Sequence, residues 1–158
     1  MDTIGLITLR AEIGDDLRVA SEAAKMARER FSHGGVVGME SASYQLVRFF
    51  NVVEQMGLRV AKAFENHIDD ERGWHSQLVH RLGLVVPGIR PALYSSEVAT
   101  ALHDVRGFRH VVTHAYDLEL DPERISIVLR HAEKVASLLP GLVEAFFNGV
   151  EGTMRAER

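Results

Sequence analysis

One pattern runs through the chain: apolar residues recur every three or four positions, with charged residues between them. That is the period of an α-helix, about 3.6 residues per turn, and not the two-residue alternation of a strand. Over residues 4–31, Ile4, Leu6, Leu9, Ile13, Leu17, Ala20, Ala24 and Ala27 keep this spacing. The run Ser32-His-Gly-Gly-Val-Val-Gly then places three glycines in five residues, which predicts a break. A second helix is predicted over 40–66, carried by Leu46, Phe49, Phe50, Val53, Met56, Val60, Ala61 and Phe64. A short helix follows around Trp74–Leu82. Gly83 to Leu93, with Pro87 and Pro91, reads as an irregular connector across the surface.

Ser95 or Ser96 can cap a further helix that is predicted to reach about Tyr116. Asp121-Pro122-Glu123 opens the last one: Asp caps the exposed amides, Pro suits the first turn, and Glu favours the positive end of the helix dipole. Its stripe runs through Ile125, Val128, Leu129, Ala132, Val135 and Leu138 to about residue 147, with a kink expected at Pro140. The one β-branched pair in a loop, Val85-Val86, is too short for a strand and sits beside proline. The fold predicted is all-α, an up-and-down bundle of four to five helices, forming a single domain over 1–158.

Composition narrows the function more than the fold. The chain has 158 residues, 46% hydrophobic and 25% charged, as expected of a soluble globular domain. No apolar run approaches the roughly 20 residues of a membrane span, and Met-Asp-Thr-Ile-Gly-Leu is unlike a secretory signal, so the cytoplasm is the expected compartment. With no cysteine, disulfides, thiolate metal sites and cysteine nucleophiles drop out. A formal net charge of −4 argues against a protein that coats nucleic acid through bulk charge. Any nucleic-acid chemistry must rest on a local positive patch.

One stretch supplies such a patch. Leu102-His-Asp-Val-Arg-Gly-Phe-Arg-His-Val-Val-Thr-His-Ala-Tyr-Asp carries His103, Arg106, Arg109, His110 and His114, and contains no lysine. An Arg holds phosphate oxygens through a planar fork, and a His with a free pKa of about 6.5 moves protons at neutral pH. At about 100° per residue, Val105, Phe108, Val111, Val112 and Ala115 share a core-facing arc. His103, Arg106, Arg109, His110, Thr113, His114 and Asp117 fall opposite; Asp104 and Leu102 spoil the division. A solvated helix face is the plain alternative. Arg109 and Tyr116 are seven apart and line up along a continuous helix. Arg109 and His114, however, are about 140° apart. Either the helix is distorted near Gly107, or two copies line a shared cleft in a symmetric homodimer.

Arg109, four residues, His114, one residue, Tyr116, at the end of a helix in an all-α domain of this size, resembles the HEPN superfamily and, more narrowly, the HepT-like ribonuclease toxins. The likeness extends to Phe49-Phe50-Asn51-Val-Val-Glu54, Trp74-His75-Ser-Gln-Leu78, Gly88-Ile-Arg-Pro91 and Leu118-Glu-Leu-Asp-Pro-Glu-Arg124, roughly residues 6–150. It implies a metal-independent endoribonuclease acting as a homodimer on RNA. His114 would be the acid/base residue at a ribose 2′-hydroxyl, and Arg109 would bind the phosphate. His110, Arg106, His103 and Thr113 would line the cleft, with Thr113 standing where a second Arg is expected. It further implies a minimal nucleotidyltransferase as antitoxin, able to transfer AMP to Tyr116. The alternative within the same resemblance is a non-catalytic helical partner that regulates the nucleotidyltransferase.

Other chemistry finds less support. His110 and His114, one turn apart, could grip a metal, as could His67, His75, His80 and His131, but no third ligand converges by spacing and no cofactor is expected. Trp74 is expected to be a core or interface anchor with His75 exposed, and Asp69-Asp70-Glu71 a solvated turn. Ser43 and Ser95 lie in no nucleophile elbow, and Gly34, Gly35 and Gly38 lack the Lys of a phosphate loop.

Overall fold

Two thirty-residue helices, α1 (Thr3–Ser32) and α2 (Gly35–Phe64), form a hairpin that carries the rest of the fold. In this computed structural model residues 2–65, 74–117 and 119–156 are described, apart from the side chains of 74–76. The expectations for His67, for the Asp69-Asp70-Glu71 turn and for the side chains of Trp74 and His75 lie outside the described residues. Three more helices follow: α3 (Trp74–Leu82), α4 (Ser96–His114) and α5 (Pro122–Ala156). Among the described residues there is no strand, only one antiparallel bridge between Val86 and Arg90. The all-α prediction holds.

The break between α1 and α2 is shorter than the glycine run suggested. Only His33 and Gly34 separate the helices, and α2 begins at Gly35 rather than at residue 40. Gly34 and Gly35 sit at φ of 70° and 68°, a left-handed backbone that favours glycine. Gly38 serves differently, since a Cβ there would lie 2.8 Å from the Arg30 carbonyl oxygen, so its bareness lets the hairpin close. Ion pairs set the directions. Arg59 meets Glu12 and Asp16 while Arg48 meets Glu22, so α1 and α2 are antiparallel. Arg28 meets Glu133, and Arg10 meets Glu144 and Glu151, which runs α5 antiparallel to α1.

The core lies where these helices face one another, around Phe49, Phe50, Leu46, Met56, Ile13, Phe146, Phe147, Ile125 and Leu129. Phe146 packs edge-on against both Phe64 and Phe147, each at 5.6 Å between ring centres. Truncating such a phenylalanine to alanine costs about 3–5 kcal/mol. Ile4, counted in the α1 stripe, is instead 75% exposed. α5 runs unbroken past Pro140 to Ala156, not to residue 147; Pro140 is exposed, and the ladder bond it removes is lost on the solvent side.

The connector from Gly83 to Leu93 is no loose surface strap. The Arg90 side chain is 1% exposed, and its Nη1 donates to the carbonyls of Leu84 (2.9 Å) and Pro91 (3.3 Å). Its Nη2 donates to the Arg81 carbonyl (3.0 Å), and Nε and Nη2 both reach Glu65. Burial is the largest influence on Glu65 and opposes its charge, yet Arg90 and Arg81 together hold its carboxyl below the usual range. Leu93 and Tyr94 are buried beyond this knot, and Gly57 makes room for Tyr94 and Leu82, whose atoms would crowd a Cβ at 3.0 and 2.7 Å.

Candidate active site

α4 begins where expected: the Ser95 hydroxyl accepts from the Val98 N–H at 3.2 Å. The helix stays α-helical through Gly107, which rules out the distortion that could have aimed Arg109 and His114 at one point. It ends two residues earlier than expected. Ala115 is extended, so Tyr116 stands outside the helix, fully exposed, and does not stack above Arg109 by helical register.

The burial phase of α4 is also rotated. Val98, Ala101, Leu102, Val105 and Phe108 are buried, whereas Val111 is 45% exposed and Ala115 is exposed too. Leu102, which had seemed misplaced among polar residues, belongs to the core. On that corrected phase Arg109 lies at the α4–α2 seam rather than on the outward face. Its guanidinium sits 4.9 Å above the Phe50 ring, and Nη1 donates to Asn51 Oδ1 (2.9 Å) and Glu54 Oε1 (3.3 Å). The Glu54 side chain is 7% exposed and that of Arg109 22%. Arg109 Nε and Nη2 have no protein acceptor among the described residues. The seat fixes the fork at one end and leaves donors over for a ligand.

His114 is organised from below by its own helix. Its Nδ1 lies 3.0 Å from the His110 carbonyl oxygen and 2.8 Å from Thr113 Oγ1. The Thr113 hydroxyl gives its own proton to the Arg109 carbonyl at 2.8 Å, so Nδ1 faces two acceptors. In a neutral imidazole this network places the ring proton on Nδ1 rather than on Nε2. The His110 ring stacks on the His114 ring, 4.5 Å between centres and 26° from parallel, which limits its rotation. Thr113, His110 and His114 are all exposed. The face is solvent-accessible and internally ordered.

One turn toward the start of α4, His103 is exposed and Arg106 half-buried, and α3 brings His80 up beside them. Burial first, then Arg106 and His80, push the His103 imidazole below its ordinary pKa. Asp104, the other residue that spoiled the helical division, faces α5 instead, pairing with Arg124 at 2.6 Å and His131 at 2.9 Å. A hollow of about 300 Å³ beside Gly107, Phe108 and Val111 opens toward Leu120 and Arg124. Among the described residues no three His, Asp or Glu side chains converge as a metal ligand set.

Sequence reasoning counted Phe50 in the α2 stripe and Asn51 and Glu54 only in the family likeness, and gave none of the three the task of seating Arg109. A signal existed: Glu54 falls in the apolar stripe Phe50, Gly57, Ala61 of α2, and a carboxylate there needs a cation. A protein-family model described as HepT-like protein matches residues 41–150. That range includes the Arg109 seat, the buried Arg90 knot and the whole of α4. Neither the curated proteins nor the solved structures contain a match.

Proposed function

The chain belongs to the HepT-like family, and on that premise we propose that it is a metal-independent endoribonuclease toxin whose active cleft forms between two copies of α4. The observation that carries the reading is the pairing of unlike preparation on one helix. Arg109 is clamped with donors to spare, and His114 is held through Nδ1 with Nε2 left over, yet the two positions lie about 140° apart around the helix. A twofold axis beside α4 resolves this, since the guanidinium of one copy then serves the imidazole of the other.

In that cleft His114 takes the 2′-hydroxyl proton on Nε2 while the 2′ oxygen bonds to phosphorus. The P–O5′ bond breaks, and the departing oxygen takes a proton from the second copy's imidazolium. The products are a 2′,3′-cyclic phosphate and a 5′-hydroxyl. Arg109 meets the charge that develops on the phosphate oxygens, a contact worth more in the transition state than in the ground state. Thr113 and the His110 carbonyl hold the His114 tautomer. Tyr116, fully exposed just past the helix end, is the acceptor for AMP from a minimal nucleotidyltransferase antitoxin. The added phosphate would place bulk and negative charge beside the cleft.

The test uses purified protein and an RNA oligonucleotide in EDTA. Cleavage should proceed, should stop when the substrate carries a 2′-deoxy sugar at the scissile position, and should be lost in His114→Ala. A strict metal requirement, or equal cutting of DNA, overturns the mechanism. After co-expression with the neighbouring nucleotidyltransferase, mass spectrometry should find AMP on Tyr116; a modification elsewhere overturns that assignment.

A further inference from the structure

His80 on α3 and His103 and Arg106 on α4 gather three cationic or protonatable groups, and among the described residues no carboxylate is ion-paired to any of them. Three other half-buried arginines of this acidic chain find carboxylates: Arg48 meets Glu22 and Gln45, Arg81 meets Glu65, and Arg10 meets Glu144 and Glu151. Arg106 is the contrast. Its Nε is buried without a hydrogen-bond partner, a costly state for a guanidinium unless something supplies an acceptor. We propose that this cluster is a second anion site, taking a backbone phosphate of the RNA strand next to the one that Arg109 holds. It rests on the ribonuclease reading above.

The geometry favours a strand over an isolated ion. Arg106 and Arg109 are separated by about 4.5 Å along the axis of α4 and about 60° around it, and His103 lies roughly 4.5 Å further on. The positive groups thus continue in one direction from the scissile site. Gly107 lies between this cluster and His110, and no atom comes within 4 Å of where its Cβ would be. A sugar-phosphate backbone can approach the helix there without meeting a side chain. The depressed affinity of His103 for a proton, caused by burial and then by Arg106 and His80, is relieved by any bound anion. A planar guanidinium flanked by two imidazoles matches the several acceptor oxygens of a phosphate.

The experiment measures binding to cleavage-silent His114→Ala protein. A dinucleoside monophosphate reports the Arg109 subsite alone, and a five-nucleotide RNA with four phosphodiesters reports both. Adding Arg106→Gln should weaken the longer RNA about tenfold more than the shorter one, and should flatten its log-affinity against log-salt slope by about 0.7. His103→Gln should act in the same direction with a smaller loss, and keeps the test available if Arg106→Gln does not fold. Inorganic phosphate should shift the ring NMR signals of His80 and His103, and Arg106→Gln should abolish that shift. Equal losses on the two lengths, or none, with no phosphate response overturns the site. A phosphate response without RNA binding overturns RNA as the occupant and leaves a site for free phosphate or a nucleotide. If the wild-type protein binds both RNAs in this pattern but cuts neither, the ribonuclease reading fails while the subsite stands.

Discussion

Arg90 and Arg109 are the same residue type, each paired with a mostly buried glutamate, and they do opposite work. All five N–H donors of Arg90 are engaged: Nε on Glu65, Nη1 on the Leu84 and Pro91 carbonyls, Nη2 on Glu65 and the Arg81 carbonyl. Nothing is left for a ligand, and its exposure of 1% keeps water out. Arg109 spends only its Nη1 donors, on Asn51 and Glu54, and rests its face on Phe50 at 22% exposure. What distinguishes a structural arginine from one available for chemistry is the number of donors left over, and neither burial alone nor the presence of an acidic partner reveals it.

Breaking each pair should therefore produce opposite phenotypes. Arg90→Ala leaves half-buried Glu65 with Arg81 as its one remaining cation among the described residues and unties three carbonyls; the cost should be about 3 kcal/mol, read as a large fall in melting temperature. Arg109→Lys and His114→Ala should leave melting within about 1 kcal/mol of wild type, while His114→Ala lowers cleavage by about 10²–10⁴-fold. Arg109→Lys keeps the charge but not the planar fork, so its cleavage should fall steeply as well. If Arg90→Ala melts normally, or if Arg109→Lys cleaves normally, the division between the two arginines is wrong.

Glu54 sharpens the contrast. Glu54→Gln keeps an acceptor for Arg109 Nη1 and removes the charge, so the fork should stay in place but be less firmly held. Cleavage should drop by about tenfold, within the range for losing one charge-assisted hydrogen bond. Glu65→Gln, the matching change at the other pair, should leave cleavage alone and flatten acid unfolding. The Glu65 carboxyl is depressed in the folded state, so its stabilisation is complete above the unfolded value of 4.5 and is lost as pH falls through the folded value.

How far the sequence foretold each region follows from the same physics. The periodicity of apolar positions located the helices of the described residues, because burial of a stripe is what makes each one stable. The phase of α4 was harder to read. Its Leu102 and Asp104 did not fit a core arc drawn through Val111 and Ala115, and that misfit was the sign of rotation. A pattern that scores Arg as polar misses that the stem of Arg109 covers Phe50 and so lies at the core edge. The Arg90 knot left no mark in the periodicity and showed only in the family likeness of Gly88-Ile-Arg-Pro91. A lone arginine between glycine and prolines carries no periodic signal, and its partners sit 25, 9 and 6 residues away. The end of α4 at His114 was likewise not legible, since neither glycine nor proline stands near Ala115.

The smallest expected effect concerns the unsatisfied end of the series, where Arg106 presses on His103. In the folded protein the His103 imidazole titrates below its unfolded value of 6.5, pushed there first by burial, then by Arg106 and His80. The folded state then binds fewer protons than the unfolded chain across that window. Stability rises with pH there: the contribution is present above 6.5 and is lost as pH falls through the folded value. Melting temperature measured in steps from pH 7.5 down to pH 5 should decline, and His103→Gln should make that decline shallower. Arg106→Gln removes one of the two neighbouring cations and should also flatten it, by less. His80 is the weaker of the two neighbours that press on the His103 ring, so His80→Gln should flatten the decline by less again. A decline unchanged in all three variants would place the source of the pH dependence outside this cluster.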